Sequence, residues 1–138
     1  HLFNQNKCAE YFAALGLIYT PETKGVKVTD FRDIHDIEFL KRSFRFEERV
    51  GRHVAPLRLE TILEMPYWSK KDNHREITCQ NVENAIRELS LHTKEVFDLW
   101  CPIISEASRK HLEYIPANSN RNALIDEIVK LEVHLGVV

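Results

Sequence analysis

Apolar and charged residues alternate most densely over Asp36-Ile37-Glu38-Phe39-Leu40-Lys41-Arg42-Ser43-Phe44-Arg45-Phe46. Successive side chains of an extended strand point to opposite faces. A strand over 37–46 therefore has Ile37, Phe39, Lys41 and Ser43 on one face and Glu38, Leu40, Arg42, Phe44 and Phe46 on the other. Both faces are mixed, and both carry a cation at their centre. That pattern suits a ribbon lying against something anionic, or an edge strand charged to resist aggregation. The polar run Glu47-Glu48-Arg49-Val50-Gly51-Arg52 predicts a hairpin tip, and His53-Val54-Ala55-Pro56 the returning strand, stopped by Pro56.

Upstream, Phe3, Tyr11, Phe12 and Leu15 among alanines predict a helix over 2–15, with Gly16 placed to end it in a left-handed conformation. Leu17-Ile18-Tyr19 predicts a short buried strand, and Thr20-Pro21 a turn. Val26-Lys27-Val28-Thr29 predicts a further brief strand, followed by a polar connection. Downstream the period changes to that of helices. Residues 58–64 form one or two turns ended by Met65-Pro66. A helix over 76–89 carries Ile77, Val82, Ile86 and Leu89, and a second, from His92 or Thr93, carries Val96, Phe97, Trp100, Ile103 and Ile104. Pro102 is expected to kink or break that helix. Ser119-Asn120 offers the cap of a third, with Leu124, Ile125, Ile128, Val129, Leu131 and Val133. The exposed-or-buried choice for Trp68 favours a core anchor over a stacking surface.

At 138 residues and 43% hydrophobic content the chain has enough material for a core. The lone Met is internal, at position 65, and the expectation is a piece of a longer protein. No signal peptide or membrane-length apolar run is visible. Cys8, Cys79 and Cys101 are too dispersed for a disulfide framework or a Cys-x-x-Cys knuckle, so a reducing compartment is expected. A zinc site from His74, Cys79 and His92 is the weak alternative to scattered surface histidines. Formal charge is −2, yet residues 41–75 hold nine Lys or Arg against five Asp or Glu, a local +4 that leaves −6 elsewhere. Charge able to meet phosphate is thus concentrated in the middle third.

Phe39-Leu40-Lys41-Arg42 resembles motif E, the primer grip, of the RNA-dependent RNA polymerases of picornaviruses and their insect-infecting relatives. Gly16-Leu17-Ile18-Tyr19-Thr20-Pro21-Glu22-Thr23-Lys24 resembles motif D, commonly Gly-Leu-x-x-Thr-Pro-x-x-Lys. Val54-Ala55-Pro56-Leu57, Tyr67-Trp68-Ser69-Lys70-Lys71 and Arg87-Glu88-Leu89-Ser90-Leu91-His92 are similar to the thumb, closest to dicistrovirus-like members. The landmarks follow the family's order across almost the whole chain.

The resemblance implies an α+β fold: a carboxy-terminal palm segment over 1–56, with a helix, short strands and the motif E hairpin, then a mainly helical thumb over 57–138. It implies copying of RNA from an RNA template by two-metal nucleotidyl transfer. Lys24, rather than the neighbouring Lys27, is then the general acid for the leaving pyrophosphate. Lys41, Arg42 and Arg45 are the RNA-binding residues, with Lys41 preferred over Arg42 for the primer, because the two point to opposite faces of a regular strand. Magnesium or manganese is implied, with ligands outside this chain, since the sequence contains no Gly-Asp-Asp. The chain is therefore expected to begin just after that turn, to lack fingers and most of the palm, and to be inactive alone. Implied partners are template and product RNA, nucleoside triphosphates, the remaining palm and fingers, and a protein primer. The implied location is the host cytoplasm, in membrane-associated replication complexes. A non-catalytic RNA-binding or adaptor domain explains the basic middle third equally well, though not the ordered motifs; a reverse transcriptase has a different grip sequence.

Overall fold

A computed structural model describes residues 4–21, 31–68 and 74–134. The expected strand over 26–29, Lys24 and the lysine pair at 70 and 71 lie outside the described residues. Helices dominate, with one two-stranded sheet, so the chain is α+β. It divides into two compact units, His1–His53 and Val54–Val138.

The first unit opens with α1 (Gln5–Ala14), whose amino end is closed by Asn4 Oδ1 accepting from Lys7 N at 2.8 Å. Its carboxy end is closed by Gly16 at φ +74°, which lets Gly16 N reach Ala13 O at 3.0 Å and Leu17 N reach Phe12 O at 2.8 Å. These paired bonds satisfy carbonyls that the helix leaves open. The expected buried strand at Leu17-Ile18-Tyr19 is not there. Those residues pair with no strand among the described residues, and Ile18 is 93% exposed. Three apolar residues in a row signal burial only where a neighbour covers them, and among the described residues of this unit no strand pairs with them.

A one-turn 3-10 helix, Ile34–Asp36, follows, capped by Asp33 Oδ1 on His35 N at 2.9 Å. The continuous strand expected over 37–46 is replaced by a tight turn and a short strand. Phe39 and Arg42 bridge each other, with Leu40 and Lys41 between them at φ +51° and +63°. Only β1 (Arg45–Glu47) remains as strand, paired with β2 (Arg52–Val54). Because neither face of the 37–46 run is consistently apolar, burial does not enforce an extended register there. The β1–β2 hairpin tip forms as expected. Val50 N bonds Glu47 O at 3.2 Å, and Gly51, at φ +66°, bonds the same carbonyl at 3.0 Å. A glycine supplies that left-handed residue without a Cβ clash.

The second unit contains the core. It is built from α2 (Leu59–Glu64), a 3-10 turn (Met65–Tyr67), α3 (His74–Leu89), α4 (Lys94–Leu112) and α5 (Arg121–His134). Val82, Ala85, Ile86 and Leu89 form the buried stripe of α3, and Phe97, Cys101, Ile104 and Ser108 that of α4. Ile62 of α2 and Leu124 of α5 close the same cluster. These spacings of three and four place one helical face inward. Of the kink or break expected at Pro102, the break does not occur: α4 runs through Pro102. Trp68, expected as a core anchor, is 71% exposed, and its carbonyl accepts from Asn81 Nδ2.

Polar contacts tie the helix ends together. Arg75 grips Leu112 O, the end of α4, through Nε at 3.2 Å and Nη2 at 3.0 Å. Arg121 does the same to His92 O at 3.1 and 2.8 Å, while His92 Nε2 lies 2.7 Å from Leu57 O. Beyond α4, left-handed Glu113 turns the chain so that Tyr114 Oη donates to Glu83 Oε1 at 2.5 Å, an oxygen that also accepts from Ala117 N at 2.7 Å. The hydrogen bond to the Glu83 carboxylate, and then burial, push the Tyr114 hydroxyl up to about 12.

Candidate nucleic-acid interface

Five cations fall in the twelve residues 41–52: Lys41, Arg42, Arg45, Arg49 and Arg52. Local folding gives them different tasks. The bridge between Phe39 and Arg42 is a pair of backbone bonds, Phe39 N to Arg42 O at 2.9 Å and Arg42 N to Phe39 O at 3.0 Å. Two central residues at positive φ are the mark of a type I′ turn, whose twist matches that of the flanking chain. Such turns ordinarily use Asn or Gly. Here Leu40 and Lys41 occupy them, and both side chains stand out of the turn, Leu40 76% exposed.

Lys41 thus sits at an apex with no ion pair to another described residue, and Phe39, 64% exposed, stands beside it. Arg42, at the base of the turn, is half-buried. The expected division of Lys41 and Arg42 between two faces of a regular strand does not hold; they are separated as tip and base of a bend instead.

Arg45 lies on β1 and is committed inward. Its guanidinium pairs with the Glu47 carboxylate and donates to Phe46 O at 3.1 Å. Glu47, 7% exposed, is the one buried side chain among the described residues of the first unit, and its Oε1 also accepts from Arg49 N at 3.4 Å. A buried carboxylate needs such partners. The hairpin is joined to the preceding 3-10 helix by rings: His35 and His53 centroids are 5.7 Å apart, and Phe46 meets His53 edge-on at 5.4 Å. His35 Nδ1 lies 3.1 Å from Phe44 O. The result is a braced hairpin directly preceded by a turn with an ammonium at its apex, a geometry that can engage a phosphate oxygen without reading a base.

The chain matches the model for viral RNA-dependent RNA polymerase over residues 3–107. It belongs to that family. Its curated relatives are replicase polyproteins of insect viruses. The one from Acute bee paralysis virus (strain Rothamsted) is 44% identical over 111 residues, covering 78% of this chain and 6% of that protein. That of Drosophila C virus (strain EB) is 42% identical over 97 residues, covering 70% and 6%. That of Cricket paralysis virus is 33% identical over 96 residues, covering 69% and 5%. The chain therefore corresponds to a dicistrovirus-like polymerase segment, and it spans roughly a twentieth of the relatives' length.

Within this polymerase segment, Lys41 and Arg42 fall in the turn and Arg45 in the hairpin that follows it, whereas Lys24 lies outside the described residues. Among the described residues, no group of three or more His, Cys, Asp or Glu side chains is placed to hold a metal ion. Sequence reasoning missed the positive φ at Leu40 and Lys41, since no Gly, Asn or Asp flags that turn. It also missed the Arg45–Glu47 pair, for which the alternation of residues 45 and 47 on one strand face was the available signal.

Proposed function

We propose that this chain carries motifs D and E and the thumb of a viral RNA-directed RNA polymerase, with palm residues over 1–56 and thumb residues over 57–138. In the intact enzyme a primer 3′ hydroxyl attacks the α-phosphorus of a nucleoside triphosphate paired to template RNA, and pyrophosphate leaves. Lys24 donates the proton that the pyrophosphate needs; an ammonium is a suitable acid once held within hydrogen-bond reach. Lys41 contacts a primer phosphate from the apex of its turn. Arg42 and Arg45 add positive charge behind it, Arg45 chiefly by bracing the hairpin through Glu47. The observation that carries this reading is the exposed ammonium on a bend just before a braced hairpin, inside a segment whose sequence matches the polymerase family.

Magnesium or manganese is bound by residues outside this chain in the proposal, so the chain alone incorporates no nucleotide. The remaining palm and fingers, and a protein primer, complete the enzyme. No helix among the described residues is long and apolar enough to cross a membrane. Association with membranes in host cytoplasmic replication complexes would then come through other parts of the polyprotein.

The test is a pair of variants in the parent polymerase. Lys24→Ala should slow single-turnover incorporation by a hundredfold or more, in the range of a lost general acid, while nucleotide affinity stays within threefold. Lys41→Ala should weaken primer–template binding and reduce its salt dependence by about one ion. Equal losses of RNA affinity in both variants, with turnover intact, would contradict the roles assigned.

A further inference from the structure

We infer that the second unit has a binding site for a single-chain amphiphile with an anionic head, a ligand distinct from nucleotide and RNA. Between the 3-10 turn, α3 and α4 lies a groove of about 610 Å³ whose walls include Leu63, Tyr67, Val82, Trp100, Ile103 and Ile104. Its volume falls in the range of small-molecule sites, about 300–1,000 Å³. The lining is overwhelmingly aliphatic and aromatic, and Tyr67 stands 87% exposed at the rim.

One end of this groove is different. Thr78, His111 and Leu112 line both the groove and an adjoining depression of about 380 Å³, which is otherwise bounded by His74, Arg75, Lys110 and Glu113. Arg75 is held at that mouth by its two bonds to Leu112 O. The charges at the end are thus Arg75 and Lys110 against Glu113, with two histidines beside them. Glu64 is the acidic residue of the groove itself. An apolar slot that opens into cations calls for an apolar tail with an anionic head directed at Lys110 and Arg75. RNA fits poorly, because it would need cations along the whole slot to match a charge at every phosphate. Carboxylate and phosphate heads share the required chemistry, and a fatty acid and a lysophospholipid are the respective sources. The inference does not depend on the roles assigned to Lys24 and Lys41.

The experiment is titration of the 138-residue chain with monomeric decanoate, dodecanoate, dodecyl phosphate and dodecanol, read by tryptophan fluorescence and calorimetry. Trp100 in the wall provides the optical signal. Saturable one-to-one binding is expected, roughly tenfold tighter for dodecanoate than decanoate and at least fivefold weaker for dodecanol. Tighter binding of the phosphate indicates the lysophospholipid source, and tighter binding of the carboxylate the fatty acid. Ala107→Trp, which fills the groove, should abolish binding, and Lys110→Glu should weaken the anions while sparing dodecanol. Circular dichroism checks that the variants fold, with Ile103→Gln replacing Ala107→Trp if that one does not. Equal affinity for dodecanol and dodecanoate, or undiminished binding by a folded groove-filling variant, overturns the inference. So does binding by the chain but not by the parent polymerase, which would mean that another polymerase segment fills the groove.

Discussion

Leu40 and Lys41 show what a motif does and does not reveal. Phe39-Leu40-Lys41-Arg42 was recognisable as residue identities, yet its conformation was not, because side chains with a Cβ are disfavoured at positive φ and nothing nearby announced the turn. The left-handed conformation costs such residues about 1–2 kcal/mol each. Leu40→Gly should therefore stabilise the first unit by roughly 1 kcal/mol, seen as slower amide exchange at Phe39 and Arg42, with Lys41 still at the apex. Loss of exchange protection would mean that the Leu40 side chain is itself an anchor. Tyr114 and Glu83 were equally invisible, being 31 residues apart with no periodic relation. Their bond has a signature in pH. The Tyr114 hydroxyl is raised from 10 to about 12, so its contribution to stability is whole below pH 10 and is lost as pH rises toward 12. Thermal melts of the wild-type chain should fall over that window by more than those of Tyr114→Phe, which lacks the titrating proton. Parallel curves would remove the Glu83 bond from the account.

At the scale of elements, legibility followed the strength of the hydrophobic period. Val82, Ile86, Leu89, Phe97 and Ile104 of the expected stripes are buried, because the two helices pack against each other, whereas Ile103 stands exposed and Ala85 and Cys101, which the pattern did not single out, complete the core. The Asn120 cap of α5 was readable for the same local reason, and Asn120 Oδ1 does accept from Ala123 N at 3.2 Å. Leu17-Ile18-Tyr19 failed because a three-residue apolar run has no period, and its meaning depends on a covering partner. At Pro102, of the kink or break expected, the break does not occur. Nineteen residues of helix, anchored by Phe97 and Cys101 before the proline and Ile104 and Ser108 after it, outweigh one missing N–H and a ring clash. Since Pro102 is exposed, that cost is unrelieved by packing. Pro102→Ala should stabilise the second unit by about 1–3 kcal/mol, measured as a higher urea midpoint at constant slope. An unchanged midpoint would imply that the proline's effect on the unfolded chain cancels its cost in the helix.

For the molecule as a whole, the apolar core is unevenly distributed. Ile62, Val82, Ala85, Ile86, Leu89 and their neighbours all belong to the second unit, while the first is held by caps, a ring cluster and the Arg45–Glu47 pair. The change from mixed alternation to helical period near residue 57 already hinted at this contrast, but not at its depth, because burial depends on what each unit can cover. Proteins open in cooperative segments whose stability tracks such apolar contact. In native-state hydrogen exchange of the intact chain, amides of Val82–Leu89 and Phe97–Ile104 should therefore be the slowest, and those of Gln5–Ala14 among the fastest. Leu89→Ala then discriminates between one cooperative body and two. Truncating a fully buried leucine costs about 2–5 kcal/mol, and that loss should appear in α3 and α4 while leaving exchange of α1 and of the β1–β2 hairpin unchanged. A matching loss in α1 would show that the two units unfold together. If α1 and the hairpin are unaffected, the first unit opens without melting the core of the second.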